Sequence, residues 1–162
     1  MAGDTISQQR KAEMFRELHE RDSPFVLANA WDAGTAHLLT RAGFVALGTT
    51  SAGLAFSHGV PDAANIIDRA FTLANVRAIA AATELPVSAD LESCFAGTPK
   101  DVEETVLLAA EAGAVGGSIE DATGIPQDPI LPLDDAVERV SHAVAAARSL
   151  PFPFVITARA EN

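Results

Sequence analysis

The sequence predicts an α/β protein built from parallel β/α units. Short apolar runs alternate with longer segments of helical periodicity, and each apolar run is nearly continuous, which is typical of strands buried on both faces. Two segments, Ala42 to Gly48 and Ala112 to Ser118, repeat the same order of helix end, glycine, strand and small residues. No break in composition divides the chain, so we expect residues 1–162 to form a single domain, with residues 1–22 as a leading helix and residues 23–162 as the β/α units.

Composition excludes several classes of function. The chain has 22 acidic residues against 11 Lys plus Arg, and it has no basic run that could follow a phosphate backbone, so nucleic acid is not an expected partner. The N-terminus lacks the apolar core of a signal peptide, and no apolar run is long enough to span a bilayer. The single cysteine, Cys94, excludes an intrachain disulfide. We therefore expect a soluble, cytoplasmic protein without a membrane partner.

The first elements follow from periodicity and capping signals. Good helix formers with one narrow apolar stripe predict a helix from Thr5 to His19. The apolar run from Phe25 to Ala30 is too short for a helix and predicts the first strand. Asp32 is a candidate N-cap for a helix over Gly34 to Arg41.

The second strand is predicted from Phe44 to Leu47, and it leads into a loop of small residues from Gly48 to Gly53. Such a loop offers backbone N–H groups and hydroxyls that let a ligand approach closely, although a plain flexible turn explains the same residues. Helical spacing of apolar residues then predicts a helix from about Asp68 to Thr83, and Pro86 separates it from a third strand over Val87 to Leu91.

Four further elements complete the predicted order. Thr98 is a plausible N-cap, with Pro99 in the first helical position, where its missing N–H does no harm. The elements are a helix between Thr98 and Gly113, a fourth strand from Ala114 to Ile119, a helix from Leu133 through Arg148 after a proline-rich loop over Ala122 to Pro132, and a fifth strand from Phe154 to Ala158.

Each predicted strand ends in side chains that can do chemistry. Because parallel strands present their carboxyl ends at one edge of a sheet, we expect these groups to converge. The exits are Trp31 with Asp32, the small-residue loop through Thr49 to Gly53, Asp90 with Glu92, Glu120 with Asp121, and Arg159 with Glu161.

Asp90 and Glu92 are the central pair among these exits. Two positions apart on a strand, they are expected to share a face while Leu91 points the other way. Alone, the pair is most simply interpreted as two solvated acids in a loop. Beside other acidic exits it indicates a hard divalent cation such as Mg²⁺, because adjacent like charges in a low-dielectric setting need a cation or a proton.

Arg159 has two possible roles. Its planar guanidinium can pair bidentately with the carboxylate or phosphonate of a substrate, or it can form an internal ion pair with Glu161 or Glu120.

Five groups of residues resemble the isocitrate lyase/phosphoenolpyruvate mutase superfamily. In chain order they are Asn29-Ala30-Trp31-Asp32, Thr49 to Gly53 followed by Gly59-Val60-Pro61-Asp62, Ser88 to Ser93, Ser118 to Asp121, and Ile156 to Arg159. The resemblance implies a (β/α)8 TIM-barrel type fold, of which this chain carries about five β/α units. It also implies an enzyme that makes or breaks C–C or P–C bonds in 2-oxo acids through a Mg²⁺-bound enolate, with Mn²⁺ as an alternative ion and a homo-oligomer as the full-length form.

The resemblance further implies three sets of site residues. By similarity, Asp90 is the direct metal ligand, the two glutamates bind through water, and Arg159 pairs with the anionic head of the substrate. The metal set is Asp90, Glu92 and Glu120; the substrate-binding set is Trp31, Asp32, Thr50, Ser51, Ala52 and Arg159; and the catalytic set is Asp62, Glu120 and Arg159.

The expected function is Mg²⁺-dependent C–C cleavage of a small 2-oxo acid or dicarboxylate, 2-methylisocitrate-like or oxaloacetate-like. Phosphonopyruvate mutase or hydrolase chemistry is the enzymatic alternative, and a non-catalytic half-barrel that binds an oxo acid or a partner is the other. Residues 122–129 lack the Lys-Lys-Cys-Gly-His type motif of isocitrate-cleaving members, so isocitrate itself is not an expected substrate. Because an eight-unit barrel needs ~250 residues, we expect the chain to be the N-terminal portion of a longer barrel.

Overall fold

The computed structural model describes residues 6–62 and 66–161, and these residues form six helices and five strands. Helices and strands alternate except between β2 and β3, where two helices follow one another. The helices are α1 (Gln8–Glu20), α2 (Ala33–Arg41), α3 (Ser51–Ser57), α4 (Arg69–Ala81), α5 (Pro99–Glu111) and α6 (Leu133–Ser149). The strands are β1 (Leu27–Asn29), β2 (Ala46–Gly48), β3 (Val87–Asp90), β4 (Gly116–Glu120) and β5 (Val155–Arg159). The strands form one sheet in the order β1-β2-β3-β4-β5, and all neighbours are parallel. The predicted α/β class is confirmed.

Helix α1 closes the end of the sheet that lies opposite the strand exits. Its predicted start at Thr5 lies outside the described residues, and the helix begins after an N-cap at Ser7. The Gln8 side-chain amide donates to the carbonyl oxygens of Ala110 (2.7 Å) and Ala114 (2.9 Å). Lys11 Nζ donates to the carbonyl oxygen of Thr83 at 2.6 Å. These contacts satisfy carbonyl groups where α4 and α5 end, and they leave the other end of the sheet open.

The prediction of a loop from Gly48 to Gly53 is wrong for residues 51–53, which form the first turn of α3. Thr50 is the N-cap of α3, and its hydroxyl accepts a hydrogen bond from the Gly53 N–H at 3.2 Å. The helix has only seven residues, which is too short for helical periodicity to reveal it in the sequence. The strand exit therefore leads directly into the first turn of a helix.

Strand β5 lies at one edge of the sheet, where it pairs only with β4 among the described strands. Between β5 and α6 lies a groove of about 590 Å³, whose wall combines alanine and valine side chains of α6 with Glu120, Arg139 and Arg159. Over residues 6–62 and 66–161, we find no helix with the length and apolar character needed to cross a membrane.

Candidate active site

A cavity of about 400 Å³ lies where the five strands end. It is lined by residues from all five strands, from the start of α3 and by Asp62: Leu27, Asn29, Gly48, Thr49, Thr50, Ser51, Ala52, Asp62, Ser88, Ala89, Asp90, Ser118, Thr157 and Arg159. The predicted convergence is present for Thr49 to Ala52, Asp90 and Arg159. The other predicted exit residues do not line this cavity: Trp31, Asp32, Glu92, Glu120, Asp121 and Glu161.

Asp90 is held in place at the end of β3. One carboxylate oxygen accepts a hydrogen bond from the Ser51 N–H at 3.0 Å, and the other accepts from the Ser118 hydroxyl at 3.3 Å. The Asp90 N–H donates to Thr49 Oγ1 at 2.8 Å. Its side chain is 13% exposed, so the interpretation as a solvated loop acid is wrong for this residue.

Glu92 lies in the turn after β3 and not on the strand itself. Strand β3 ends at Asp90, one residue before the predicted end, and Glu92 has a left-handed backbone with φ of 50°. Its position therefore comes from a turn and not from strand alternation. Burial raises the pKa of Glu92 to about 7, and the negative charges of Asp90, Glu120 and Asp62 add to the shift.

Arg159 lies at the centre of the acidic groups. Its Nη1 atom is 3.3 Å from Asp90 Oδ1 and 3.4 Å from Glu120 Oε2, and its Nη2 atom is 2.6 Å from Glu161 Oε1. The internal ion pair that the sequence offered as an alternative is thus observed. The Arg159 side chain remains 41% exposed, so part of the guanidinium is still accessible from the cavity.

Glu120 and Glu161, the two glutamates that contact Arg159, are themselves influenced by their neighbours. Burial raises the pKa of Glu120, and the Arg159 guanidinium opposes that shift. The Glu161 N–H donates to Asp121 Oδ1 at 3.0 Å, which fixes the backbone just after β5. The site therefore carries more carboxyl groups than its one guanidinium can neutralise.

The donor set fits a hard divalent cation. Among residues 6–62 and 66–161, no three His, Cys, Asp or Glu side chains already form a group that could hold a metal ion. Mg²⁺ usually takes one or two carboxylates and keeps several waters, so it does not need three direct protein ligands. The excess of carboxyl groups and the raised pKa of Glu92 mark a place where a cation would relieve repulsion. The assignment of Asp90, Glu92 and Glu120 to a metal stays a prediction.

The remaining predicted residues divide into two groups. Thr50, Ser51, Ala52 and Asp62 line the cavity, whereas Trp31 and Asp32 are not among its lining residues. Asp32 Oδ1 accepts hydrogen bonds from the Thr35 N–H at 2.6 Å and the Thr35 hydroxyl at 2.8 Å. Its carboxylate is thereby used to cap α2, as its N-cap position predicted.

Several cavity residues are outside the predicted site sets, and a simple signal could have identified three of them. Ser88, Ser118 and Thr157 lie two positions before Asp90, Glu120 and Arg159. Side chains two apart on a strand share a face, so a polar residue two positions before each exit residue indicates the lining of the same cavity. Each stands in a strand that is otherwise largely apolar or small.

Comparison with known proteins places this chain in a family. Residues 15–162 match the family model described as phosphoenolpyruvate phosphomutase. The chain belongs to this family. The resemblance to the isocitrate lyase/phosphoenolpyruvate mutase superfamily and the TIM-barrel type of fold are thereby confirmed.

Individual members of this family are similar over nearly all of the chain. A putative lyase/mutase from Burkholderia cenocepacia has a crystal structure that is 60% identical, with a TM-score of 0.92, over 96% of this chain and 55% of that one. The 2-methylisocitrate lyase of Salmonella typhimurium is 31% identical over 96% of this chain and 54% of its own length. A phosphonopyruvate hydrolase structure, a complex with oxalate and Mg²⁺, is 29% identical, with a TM-score of 0.86, over 93% of this chain and 52% of that one. The chain spans about half the length of these relatives.

Proposed function

We propose that the protein carrying this chain is a Mg²⁺-dependent enzyme that cleaves a C–C bond in a small 2-oxo acid or in a precursor of one. The observation that carries this proposal is the convergence of a fixed carboxylate, Asp90, and an accessible guanidinium, Arg159, on one cavity at the strand exits. The name of one relative, 2-methylisocitrate lyase, supports the same type of chemistry.

Asp90, Glu92 and Glu120 would hold the Mg²⁺ ion. The ion supplies Lewis-acid stabilisation of the negative charge that develops on a substrate oxygen as the adjacent bond breaks. Ser51 and Ser118 hold the Asp90 carboxylate in one orientation, at 3.0 and 3.3 Å. Such fixed orientation matters because a ligand group that does not have to reorganise stabilises developing charge more effectively.

Arg159 would bind the anionic end of the substrate, and this requires a change of partners. Its Nη1 atom is shared between Asp90 and Glu120 at 3.3 and 3.4 Å, both of them longer than a strong charged hydrogen bond. The contact with Glu161 at 2.6 Å is shorter and holds the other side of the guanidinium. We infer that Arg159 keeps Glu161 and exchanges the two longer contacts for a substrate carboxylate.

Thr50, Ser51 and Ala52 would contact the substrate from the start of α3. The Ser51 N–H is already used by Asp90. The Thr50 hydroxyl accepts from the Gly53 N–H and keeps its own proton to donate, so it could contact the substrate together with the Ser51 hydroxyl and the Ala52 N–H. Asp62, which also lines the cavity, would complete the acidic wall on the same side.

The test is turnover of oxaloacetate, 2-methylisocitrate and phosphonopyruvate by the intact protein, with Mg²⁺ and with EDTA. We expect turnover of one of the C–C substrates that EDTA abolishes. Asp90→Asn, which keeps the shape of the side chain and removes its charge, should lower kcat/KM by about 100-fold or more, because outer partners of a metal already cost 10–100-fold. Asp22→Asn, an exposed aspartate between α1 and β1, is the matched control and should leave turnover unchanged.

Three other results would contradict part of this proposal. Phosphonopyruvate turnover alone would favour the second candidate, P–C bond chemistry, which the description of the matching family model supports. Thermal stabilisation by oxalate without turnover of any substrate would favour a non-catalytic binding module. Unchanged turnover in Asp90→Asn would remove Asp90 from the metal set.

A further inference from the structure

The turn after β3 has an unusual backbone. We define the Glu92 turn as residues 91–97, between β3 and α5. Three of its residues, none of them glycine, have left-handed backbones: Glu92, Cys94 and Phe95, with φ of 50°, 62° and 52°. A residue with a Cβ atom is disfavoured in this region, and several within four positions persist only where the surroundings enforce them. Something outside the turn must therefore hold it.

Backbone groups supply the first part of that support. The Cys94 N–H closes the turn by donating to the Leu91 carbonyl oxygen at 2.7 Å. The Glu120 N–H, at the end of β4, donates to the Glu92 carbonyl oxygen at 2.9 Å. The second bond ties the turn directly to the strand that carries the next acidic exit.

Two side chains from the following helices supply the rest. Arg139 of α6 donates through Nη1 to the carbonyl oxygens of Ala96 (3.1 Å) and Ser93 (3.4 Å). The hydroxyl of Thr105 in α5, which is fully buried, donates to the Cys94 carbonyl oxygen at 2.8 Å. Donors from β4, α5 and α6 therefore converge on one short turn.

The partners of Arg139 are backbone groups and not carboxylates. The protein has twice as many acidic residues as Lys plus Arg, yet within the described part of the chain Arg139 forms no ion pair with a carboxylate. Its guanidinium instead binds two backbone carbonyl groups of the Glu92 turn. An arginine offers several donors in a fixed plane, which suits a role of bracing two points of a turn at once.

We propose that Arg139 is a positioning residue for Glu92: by bracing the carbonyl groups of the Glu92 turn, it holds the Glu92 carboxyl beside Asp90 and Glu120. Arg139 does not line the cavity and is not proposed to touch substrate. The inference rests on the proposed function in one respect, namely that Glu92 belongs to the Mg²⁺ site.

The first experiment titrates the intact protein with Mg²⁺ alone by isothermal calorimetry. Arg139→Met keeps most of the aliphatic stem and removes the donors, and we expect it to weaken Mg²⁺ binding by about 10-fold, the lower end of the range for groups that orient metal ligands. Arg139→Lys restores one donor and should recover part of the affinity. Arg148→Met, an exposed arginine on the same helix, is the control and should bind Mg²⁺ like the wild type.

If Arg139 only stabilised the fold, its substitution would change the melting temperature without changing the affinity for Mg²⁺. If Arg139→Met lowers the melting temperature but binds Mg²⁺ with wild-type affinity, the inference is wrong. If Arg139→Met does not fold, the same comparison is made with Phe95→Gly, which relieves one left-handed position. Phe95→Gly should bind Mg²⁺ normally alone and should restore folding when it is combined with Arg139→Met. Failure of that rescue overturns the proposed bracing.

Amide hydrogen exchange separates the inference from the proposed function. If the wild type binds no Mg²⁺, the metal assignment fails, but the bracing can still be measured. Arg139→Met should then speed exchange of the Cys94 and Glu120 amides by at least 10-fold, while amides of β1 keep their rates. Unchanged exchange at Cys94 and Glu120 contradicts the bracing, whether or not Mg²⁺ binds.

Discussion

Substituting Gly116 by alanine tests how closely α1 packs on the sheet. Gly116 is the first residue of β4, and a Cβ atom built on it would lie 2.6 Å from Phe15 Cε1 and 2.9 Å from the Val155 carbonyl oxygen. Both distances are shorter than real Cβ contacts. Since Val155 is the register partner of Gly116 in β5, the second clash is with backbone that the sheet itself fixes.

The size of the effect follows from how little room the neighbours have. Phe15 is 1% exposed and packs with Ala12, Ala46 and Val115, so its ring cannot swing aside without disturbing that cluster. Overpacking a well-filled core costs about 1–3 kcal/mol. For a domain of this size, the expected fall in melting temperature is roughly 2–12 °C.

Urea unfolding followed by circular dichroism measures the change. Gly34→Ala in α2 is the matched control, because its Cβ atom would meet only Asp32 Oδ1, at an ordinary 3.4 Å. Alanine is favoured over glycine inside a helix by about 0.5–1 kcal/mol, so this control should be neutral or slightly stabilising. Adding Phe15→Leu to Gly116→Ala should recover part of the loss. If Gly116→Ala unfolds at the wild-type urea concentration, the close packing of α1 on β4 is refuted.

Two further predictions concern titratable groups away from the cavity. Burial lowers the pKa of Lys11 in the folded protein, and the negative charge of Glu84 opposes that shift. Between this lowered pKa and the ordinary lysine pKa of ~10.4, Lys11 is protonated in the unfolded chain but not in the folded protein. The free energy of unfolding should therefore rise with pH over this range. Urea unfolding from pH 8 to 10.5 should show this rise in the wild type, and Lys11→Met should lose it; equal slopes would contradict the assignment. Burial also raises the pKa of the Cys94 thiol to about 12, so a thiol reagent at pH 8 should modify Cys94 only after unfolding. Rapid modification of the native protein would show that the thiol is accessible.

The sequence predicted the parts of the site that depend on regular structure. Asp90, Glu120 and Arg159 were found because each ends a strand, and parallel strands bring their carboxyl ends to the same edge. The strand boundaries differ by a few residues from the predicted ones, but the exit residues do not depend on where a strand begins. Side chains two positions apart on a strand share a face, and this also explains why Ser88 and Thr157 lie on the cavity wall beside Asp90 and Arg159.

The sequence could not predict the parts that depend on tertiary contacts. The left-handed backbone of Glu92 lies in a turn whose carbonyl groups accept hydrogen bonds from three other elements. One of the donors is Arg139, 47 positions after Glu92 in the chain. Helix α3 is too short for periodicity to show, although Thr50 is a normal N-cap residue. Trp31 and Asp32 follow a strand exit but do not line the cavity, because the chain turns directly into α2 and uses the Asp32 carboxylate as its cap.

The charges of the site set a condition that any substrate must meet. Arg159 is bound by three carboxylates, so its single positive charge is already outnumbered by the negative charges of Asp90, Glu120 and Glu161. An anionic substrate entering alone would add negative charge to a cavity that already has an excess of it. A cation that neutralises Asp90 and Glu120 would remove that penalty and leave the guanidinium free for the substrate. Cation and anion should therefore bind with positive coupling: oxalate affinity should rise with Mg²⁺ concentration, and Mg²⁺ affinity should rise by the same factor with oxalate.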